Sequence, residues 1–172
     1  RPGIPPLIVT WADRDYLVRY REDIAALRSQ VDVLVASHHW GLNVDVLEYM
    51  TEIAHAAIDS GADIVMGHGP HYSLPVEFYR GKPVFYGLGN FSFHTGHGGR
   101  KHGDWVGMLG RVVLEGRKVE RVSFRFVRHN DANETVLRPP GEEGSVLADL
   151  AERSACLGTR ISAEGEEAVC RA

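Results

Sequence analysis

The sequence lacks a basic excess, a long apolar run and a cysteine framework. Its 172 residues carry 19 Lys and Arg against 23 Asp and Glu, for a formal net charge of −4. No general positive field exists to attract nucleic acid, which is therefore not an expected partner. No apolar run approaches the roughly 20 residues that span a bilayer, so the chain is expected to hold no direct membrane segment. The two cysteines, Cys156 and Cys170, lack a CxxC spacing and are assigned neither redox nor zinc chemistry. A disulfide closing the short loop between them and a pair of idle thiols both stay open. Internal repeats and low-complexity tracts are absent too. The chain opens Arg1-Pro2-Gly3, without Met or a basic leader, as expected of a fragment or of a processed or trimmed chain. The compartment is left unknown. What remains is ordinary: 44% hydrophobic and 24% charged residues, the composition of one soluble globular domain or a piece of one.

Against that background two histidine clusters stand out, each at the end of an apolar run. One is Val33-Leu34-Val35-Ala36-Ser37-His38-His39-Trp40-Gly41. The other is Ala62-Asp63-Ile64-Val65-Met66-Gly67-His68-Gly69-Pro70-His71. An apolar strand that stops and presents imidazoles is how α/β proteins build sites, because ligands sit beyond the carboxyl ends of the strands. Histidine is also the commonest metal ligand.

The flanking pattern sets these clusters on a strand–helix–strand unit. Leu7–Val9 reads as a short strand, and Asp13 or Asp15 as the cap of a helix with Leu17, Tyr20, Ile24 and Leu27 at helical spacing. Val31–Ser37 reads as a buried strand. Asp45 opens a second helix whose apolar stripe is Val46, Met50, Ile53, Ala57 and Ile58, stopped at Gly61. Ala62–Met66 is the next strand, parallel to the first, so that the two histidine-bearing ends lie side by side. Pro75–Tyr79 and Val84–Gly87 form a hairpin about Arg80-Gly81-Lys82-Pro83, and Trp105–Leu114 and Lys118–Val127 form another about Gly116. A helix near Glu142–Cys156 and an irregular tail close the chain.

Chemistry is concentrated in few residues. Gly67 and Gly69 allow a tight turn, and Pro70 stiffens it, so His68 and His71 can point into one small volume. That arrangement suits a metal or catalytic use better than local hydrogen bonding alone, and neutral imidazole accepts zinc, iron, manganese or nickel. Successive strand residues point opposite ways, so His38 and His39 cannot both serve one ion. One is a ligand or catalytic group and the other a core or supporting residue. Trp40 is expected to pack. The loop from His94 to Asp104, with Arg100 and Lys101, reads either as a substrate loop for an anionic group or as a solvated hairpin tip. His55 and His129 are expected to be surface or packing residues. The short acidic runs Glu142-Glu143 and Glu164-Gly165-Glu166-Glu167 read as solvated faces.

The order Ser37-His38-His39-Trp40-Gly41, then Ser60-Gly61-Ala62-Asp63-Ile64-Val65-Met66-Gly67-His68-Gly69-Pro70-His71, then Pro83-Val84-Phe85-Tyr86-Gly87-Leu88-Gly89-Asn90-Phe91-Ser92-Phe93, resembles the CapA-type family of bacterial capsule and poly-γ-glutamate synthesis. The segment Ser154-Ala155-Cys156-Leu157-Gly158-Thr159 also resembles that family's C-terminal end. The resemblance implies an α/β (α+β) fold: a metallophosphoesterase-like β-sandwich flanked by helices, with a two-metal site at the strand ends. On it, residues 1–172 are the C-terminal half of one such domain. Residues 1–93 form its strand–helix–strand core and site loops, 105–127 a hairpin, and 128–172 a C-terminal extension.

By the same resemblance His39, His68 and His71 are metal-site residues, with manganese, zinc or iron as the divalent ions. His39, or its neighbour His38, is the catalytic proton donor, and Asn90 belongs to a structural turn. Two departures matter. The aspartate and the Asn-His segment of the family's N-terminal half have no match here. A pair of metals about 3.5–4 Å apart needs such carboxylates. A missing N-terminal half of the same domain is therefore expected to complete the site. Gly69 also stands where many relatives carry another histidine.

The expected function is a metal-dependent hydrolase acting on a small-molecule, peptide or polymer substrate. A metal-free peptide epimerase on the same scaffold, using histidines as proton donor and acceptor, is the alternative enzyme. A non-catalytic subunit of polymer assembly is the third reading.

Overall fold

The computed structural model of the chain describes residues 11–92, 95, 99–132 and 134–172. The strand expected at Leu7–Val9 lies outside these residues, as do His94 and His97. Three helices and nine strands are described, and the strands form two sheets, one mixed and one antiparallel. The fold is α/β.

Helix α1 spans Arg14–Arg28. Asp13, rather than Asp15, is its cap: the carboxylate accepts the N–H groups of Asp15 and Tyr16, both at 3.1 Å. Strand β1 is Val35–His39, later than the expected 31–37. The reason lies in two side chains. Arg28 donates to the carbonyls of Val31 and Asp32, and the Asp63 carboxylate accepts from the N–H of Leu34. These backbone groups are therefore engaged by side chains before β1 begins.

Helix α2 is Glu48–Asp59 and starts after Leu47, not at Asp45. Asp45 instead forms a bridge back to Leu42 across a turn in which Asn43 takes a φ of 58°. Gly61, at φ 119°, lets the chain leave α2 as expected. Strand β2, Ile64–His68, then runs parallel to β1 with Val35 opposite Ile64 and His39 opposite His68.

Strands β3 (Val76–Tyr79) and β4 (Lys82–Phe85) make the expected hairpin. Its turn residues Arg80 and Gly81 both have positive φ, the primed geometry that matches strand twist. The first sheet has the order β1-β2-β4-β3.

The second sheet is β5 (Gly107–Glu115), β6 (Lys118–His129), β7 (Thr135–Arg138), β8 (Arg160–Glu164) and β9 (Glu167–Arg171). Its order is β5-β6-β9-β8, with β7 also on β6. Helix α3 is Gly144–Ala155. Two expectations are corrected here. The polar stretch before Pro139 contains β7, and the tail is not irregular but a hairpin. The acidic run at 164–167 is the turn of that hairpin, exposed at Glu164, Gly165 and Glu166 as expected. Glu164, Glu166 and Glu167 pair with Arg171, Arg125 and Arg111, at 2.5, 2.7 and 3.0 Å. Glu143 likewise pairs with Arg128, at 2.7 Å. Cys156 is exposed and Cys170 buried, and both are free thiols. Burial pushes the Cys170 thiol up to about 12.

Two cores result. The first lies between the helices and one face of the first sheet, with Ile24, Ala36, Trp40, Met50, Ala57, Val65 and Tyr86. The second joins Val76 and Phe85 of the first sheet to Met108, Phe124, Phe126, Leu150 and Ala168. Asp63 is fully buried beneath the first core and accepts from Arg28, Lys82 and Arg117 at 2.6–3.2 Å. Burial raises its pKa, but hydrogen bonds from Lys82, the Leu34 N–H and Arg28 outweigh that and hold it at about 2. His55 is a packing residue, flat on Tyr79 and paired with Glu77 at 3.0 Å.

Candidate functional site

Strand parity sorts the histidines. Ala36, His38 and Trp40 face the helices, while Val35, Ser37 and His39 face the other way. On β2, Val65 and Gly67 share the helix side, and Ile64, Met66 and His68 share the opposite one. The in-register pairing of His39 with His68 therefore brings both rings to one face. Their Nδ1 atoms are 3.2 Å apart, with the ring planes at 72°. The Trp40 N–H donates to the His68 carbonyl at 2.8 Å, which continues the ladder one residue past the strand ends.

The loop beyond β2 is shaped by what it must avoid. A β-carbon on Gly67 would lie 2.3 Å from both Trp40 Nε1 and the Tyr86 carbonyl, the two ends of a 2.8 Å hydrogen bond. Only glycine lets that bond pass. Gly69 has φ 120°, and a β-carbon there would lie 2.4 Å from the Trp40 carbonyl. The position at which the resemblance implies a further histidine has no room for a side chain in this chain.

His38 belongs to a different environment. Its Nε2 is 2.7 Å from the Tyr20 hydroxyl, and its ring stacks on Trp40 at 4.7 Å. It borders a cavity of about 230 Å³ formed with Tyr16, Leu17 and Ile53. Burial, and secondarily the nearby charge of His68, lower its pKa to about 4, so the ring is neutral at neutral pH. The same burial pushes Tyr20 up to about 12.

His71 is set apart from the pair. Its Nδ1 lies 2.9 Å from Asn90 Oδ1, and its ring stacks on Trp105 at 4.2 Å. Trp105 stacks in turn on His102 at 3.9 Å. Asn90 is buried. Among the described residues no three His, Cys, Asp or Glu side chains converge as an ion site. The structure brings His39 and His68 together, turns His38 to the helix side, and leaves His71 with Asn90.

The donor chemistry of the pair fits part of a metal site. Two nitrogens each about 2.0–2.1 Å from one divalent ion lie about 2.8–3.4 Å apart at octahedral or tetrahedral angles. The 3.2 Å separation falls within that range. His68 also stands at the end of an apolar groove of about 490 Å³ lined by Val35, Ile64, Met66, Phe85, Leu88 and Met108.

Asn90, Trp105 and His102 were not singled out by the sequence as site residues. The signal in the sequence was Gly89 immediately before Asn90, and the fold adds Gly107 against it. A β-carbon on Gly89 would lie 2.7 Å from the Val106 carbonyl, and one on Gly107 2.2 Å from the Asn90 carbonyl. Arg100 and Lys101 are exposed, and a bridge from Thr95 to Lys101 closes the loop base. No described helix is long and apolar enough to cross a membrane.

Fold and site together define an α/β protein with paired imidazoles at the ends of adjacent parallel strands. The chain belongs to the family described as bacterial capsule synthesis protein PGA_cap, whose model matches residues 4–95. It is 40% identical over 75 residues to the "PGA biosynthesis protein CapA" of Bacillus subtilis, covering 42% of this chain and 20% of that protein. It is 38% identical over 92 residues to a "Probable polyglutamine synthesis accessory protein" of Mycobacterium tuberculosis, covering 52% of this chain and 24% of that one. With the "Capsule biosynthesis protein CapA" of Bacillus anthracis it shares 37% identity over 71 residues, 40% of this chain and 17% of that protein. The chain thus spans about a quarter or less of the length of these relatives. The family match ends before Ser154–Thr159, so the resemblance expected there is outside it.

Proposed function

We propose that the chain supplies the histidine pair of an ion site in a protein of capsule or poly-γ-glutamate biosynthesis. In this reading the complete protein is a metal-dependent hydrolase of the metallophosphoesterase type. The observation that carries the reading is the 3.2 Å approach of His39 and His68 at paired strand ends. A bound manganese, zinc or iron ion would polarise a substrate oxygen and lower the pKa of a bound water.

The chain's own residues have separate tasks. His39 and His68 hold the ion with neutral nitrogens, fixed in register by the β1–β2 ladder. His71 is the third functional imidazole, presented from the loop and oriented by Asn90 and Trp105. His38 supports the site from the helix side. The remaining ligands, carboxylates above all, come from sequence outside these 172 residues. The substrate is a small molecule, a peptide or a polymer.

The test is to titrate the full-length protein with Zn²⁺ or Mn²⁺ and assay the loaded form on aryl phosphate mono- and diesters. Ion binding and turnover, both lost in His39→Ala, support the reading. An absence of both refutes it.

A second reading has its own observation. Without an ion, His39 and His68, 3.2 Å apart, are an adjacent proton acceptor and proton donor, one to take a Cα proton and the other to return one. That suits a metal-free epimerase. Deuterium uptake from D₂O at one Cα of a candidate peptide, unaffected by chelator, supports it, and strict metal dependence excludes it. Absence of binding, turnover and exchange alike would favour a non-catalytic assembly subunit, the role closest to the "accessory protein" wording of one relative.

A further inference from the structure

The geometry points to Asn90 as a positioning residue that keeps His71 in the tautomer protonated at Nδ1, making Nε2 the basic nitrogen of the ring. The inference deepens the proposed function and rests on its assignment of His71 as a functional imidazole.

Asn90 is 6% exposed, and its Oδ1 lies 2.9 Å from His71 Nδ1. An amide oxygen only accepts hydrogen bonds, so the proton between them belongs to Nδ1. A neutral histidine in water carries its proton mainly on Nε2, and Asn90 reverses that preference. The ring partner of a ligating histidine commonly acts in this way, fixing both tautomer and orientation.

The backbone that carries the side chain is held in place, while the amide's Nδ2 is buried with no hydrogen-bond partner among the described residues. Leu88 accepts from the Met108 N–H at 2.7 Å, which ties the chain before Asn90 to β5. Gly107 has no β-carbon where the Asn90 carbonyl approaches, 2.2 Å from where that carbon would be. Gly89, at φ 67°, makes the turn that presents the side chain. The plane of His71 is fixed separately, by its stack on the buried Trp105 at 19°. One contact thus sets the proton and the other sets the plane.

The test is ¹⁵N-histidine NMR of the full-length protein at a pH where the ring is neutral, with Zn²⁺ calorimetry on the same samples. His71 is expected as the Nδ1–H tautomer in the parent protein. It is expected to revert to Nε2–H in Asn90→Leu and to stay Nδ1–H in Asn90→Asp, because a carboxylate also only accepts. The expected Zn²⁺ affinity of Asn90→Leu is about 10–100-fold weaker, with Asn90→Asp restoring most of it. An Nε2–H tautomer in the parent protein overturns the inference, and that reading needs no variant to fold. An unchanged tautomer in a folded Asn90→Leu overturns it as well. An Nδ1–H tautomer in a protein that binds no ion upholds the role of Asn90 while the hydrolase reading falls.

Discussion

His38 and His39 are adjacent in sequence, yet β1 sends them into two different chemistries. On the helix side, His38 lies between Tyr20 and Trp40, with its pKa lowered to about 4. On the other side, His39 is exposed and meets His68 at 3.2 Å beside an open apolar groove. The same imidazole is a packing element on one face and a ligand candidate on the other. The difference comes from strand parity and from what covers each face, not from residue type. The helix face should therefore govern stability, and the opposite face ion binding.

The largest effect is expected below the helix face. Asp63→Ala removes a fully buried carboxylate from Arg28, Lys82 and Arg117. Stability should fall by about 3 kcal/mol, read from urea unfolding, because the half-buried Arg28 and Lys82 lose their counter-charge and the Leu34 N–H loses its acceptor. The same carboxylate predicts an acid transition. Its folded pKa is about 2 against an ordinary 3.8, so its contribution is present above about 3.8 and is lost as the pH falls toward 2.

On the opposite face, His39→Ala and His68→Ala should change stability by less than about 0.5 kcal/mol, as surface substitutions do. Their effect should appear instead as a Zn²⁺ affinity about a hundred-fold weaker, equivalent to about 2.7 kcal/mol. A large loss of stability in either variant would break the division between the faces.

Gly69→His tests the loop between them. Placing histidine there should cost about 2 kcal/mol of stability and add no ligand, since a side chain is strained at its φ of 120°. Tighter ion binding in that variant would contradict the account.

The smallest effect is expected of His38→Phe. The ring can still stack on Trp40, but the Tyr20 hydroxyl loses its partner, for about 1 kcal/mol at neutral pH. The parent protein should lose stability as the pH falls from 6.5 toward 4, because the unfolded chain takes up the His38 proton first. His38→Phe should flatten that part of the profile.

How far the sequence reached depends on the range of the interactions. The parallel β1–β2 unit and the β3–β4 hairpin follow from local periodicity and turn residues, and were legible. So was the rule that His38 and His39 part company, since alternation is a property of the strand. Which of the two meets His68 was not read from local pattern, because it is set by the register of β1 on β2. The second sheet was half legible. Strands β7, β8 and β9 are short and rich in charge, and they become strands only by pairing with β6 and each other. The bond from the Leu34 N–H to Asp63, one of those that delay β1, reaches across 29 residues. Asn90 was visible only as a residue between turns, since its contact with His71 depends on the packing of Gly89 and Gly107 against the start of β5.

The measurement that tests the central claim most directly is Zn²⁺ titration calorimetry of the full-length protein beside its His38→Phe and His39→Ala variants, each checked for folding. The account predicts that His38→Phe binds as the parent protein does and that His39→Ala loses about a hundred-fold in affinity. Equal binding by His39→Ala and the parent, or a loss confined to a folded His38→Phe, would contradict it.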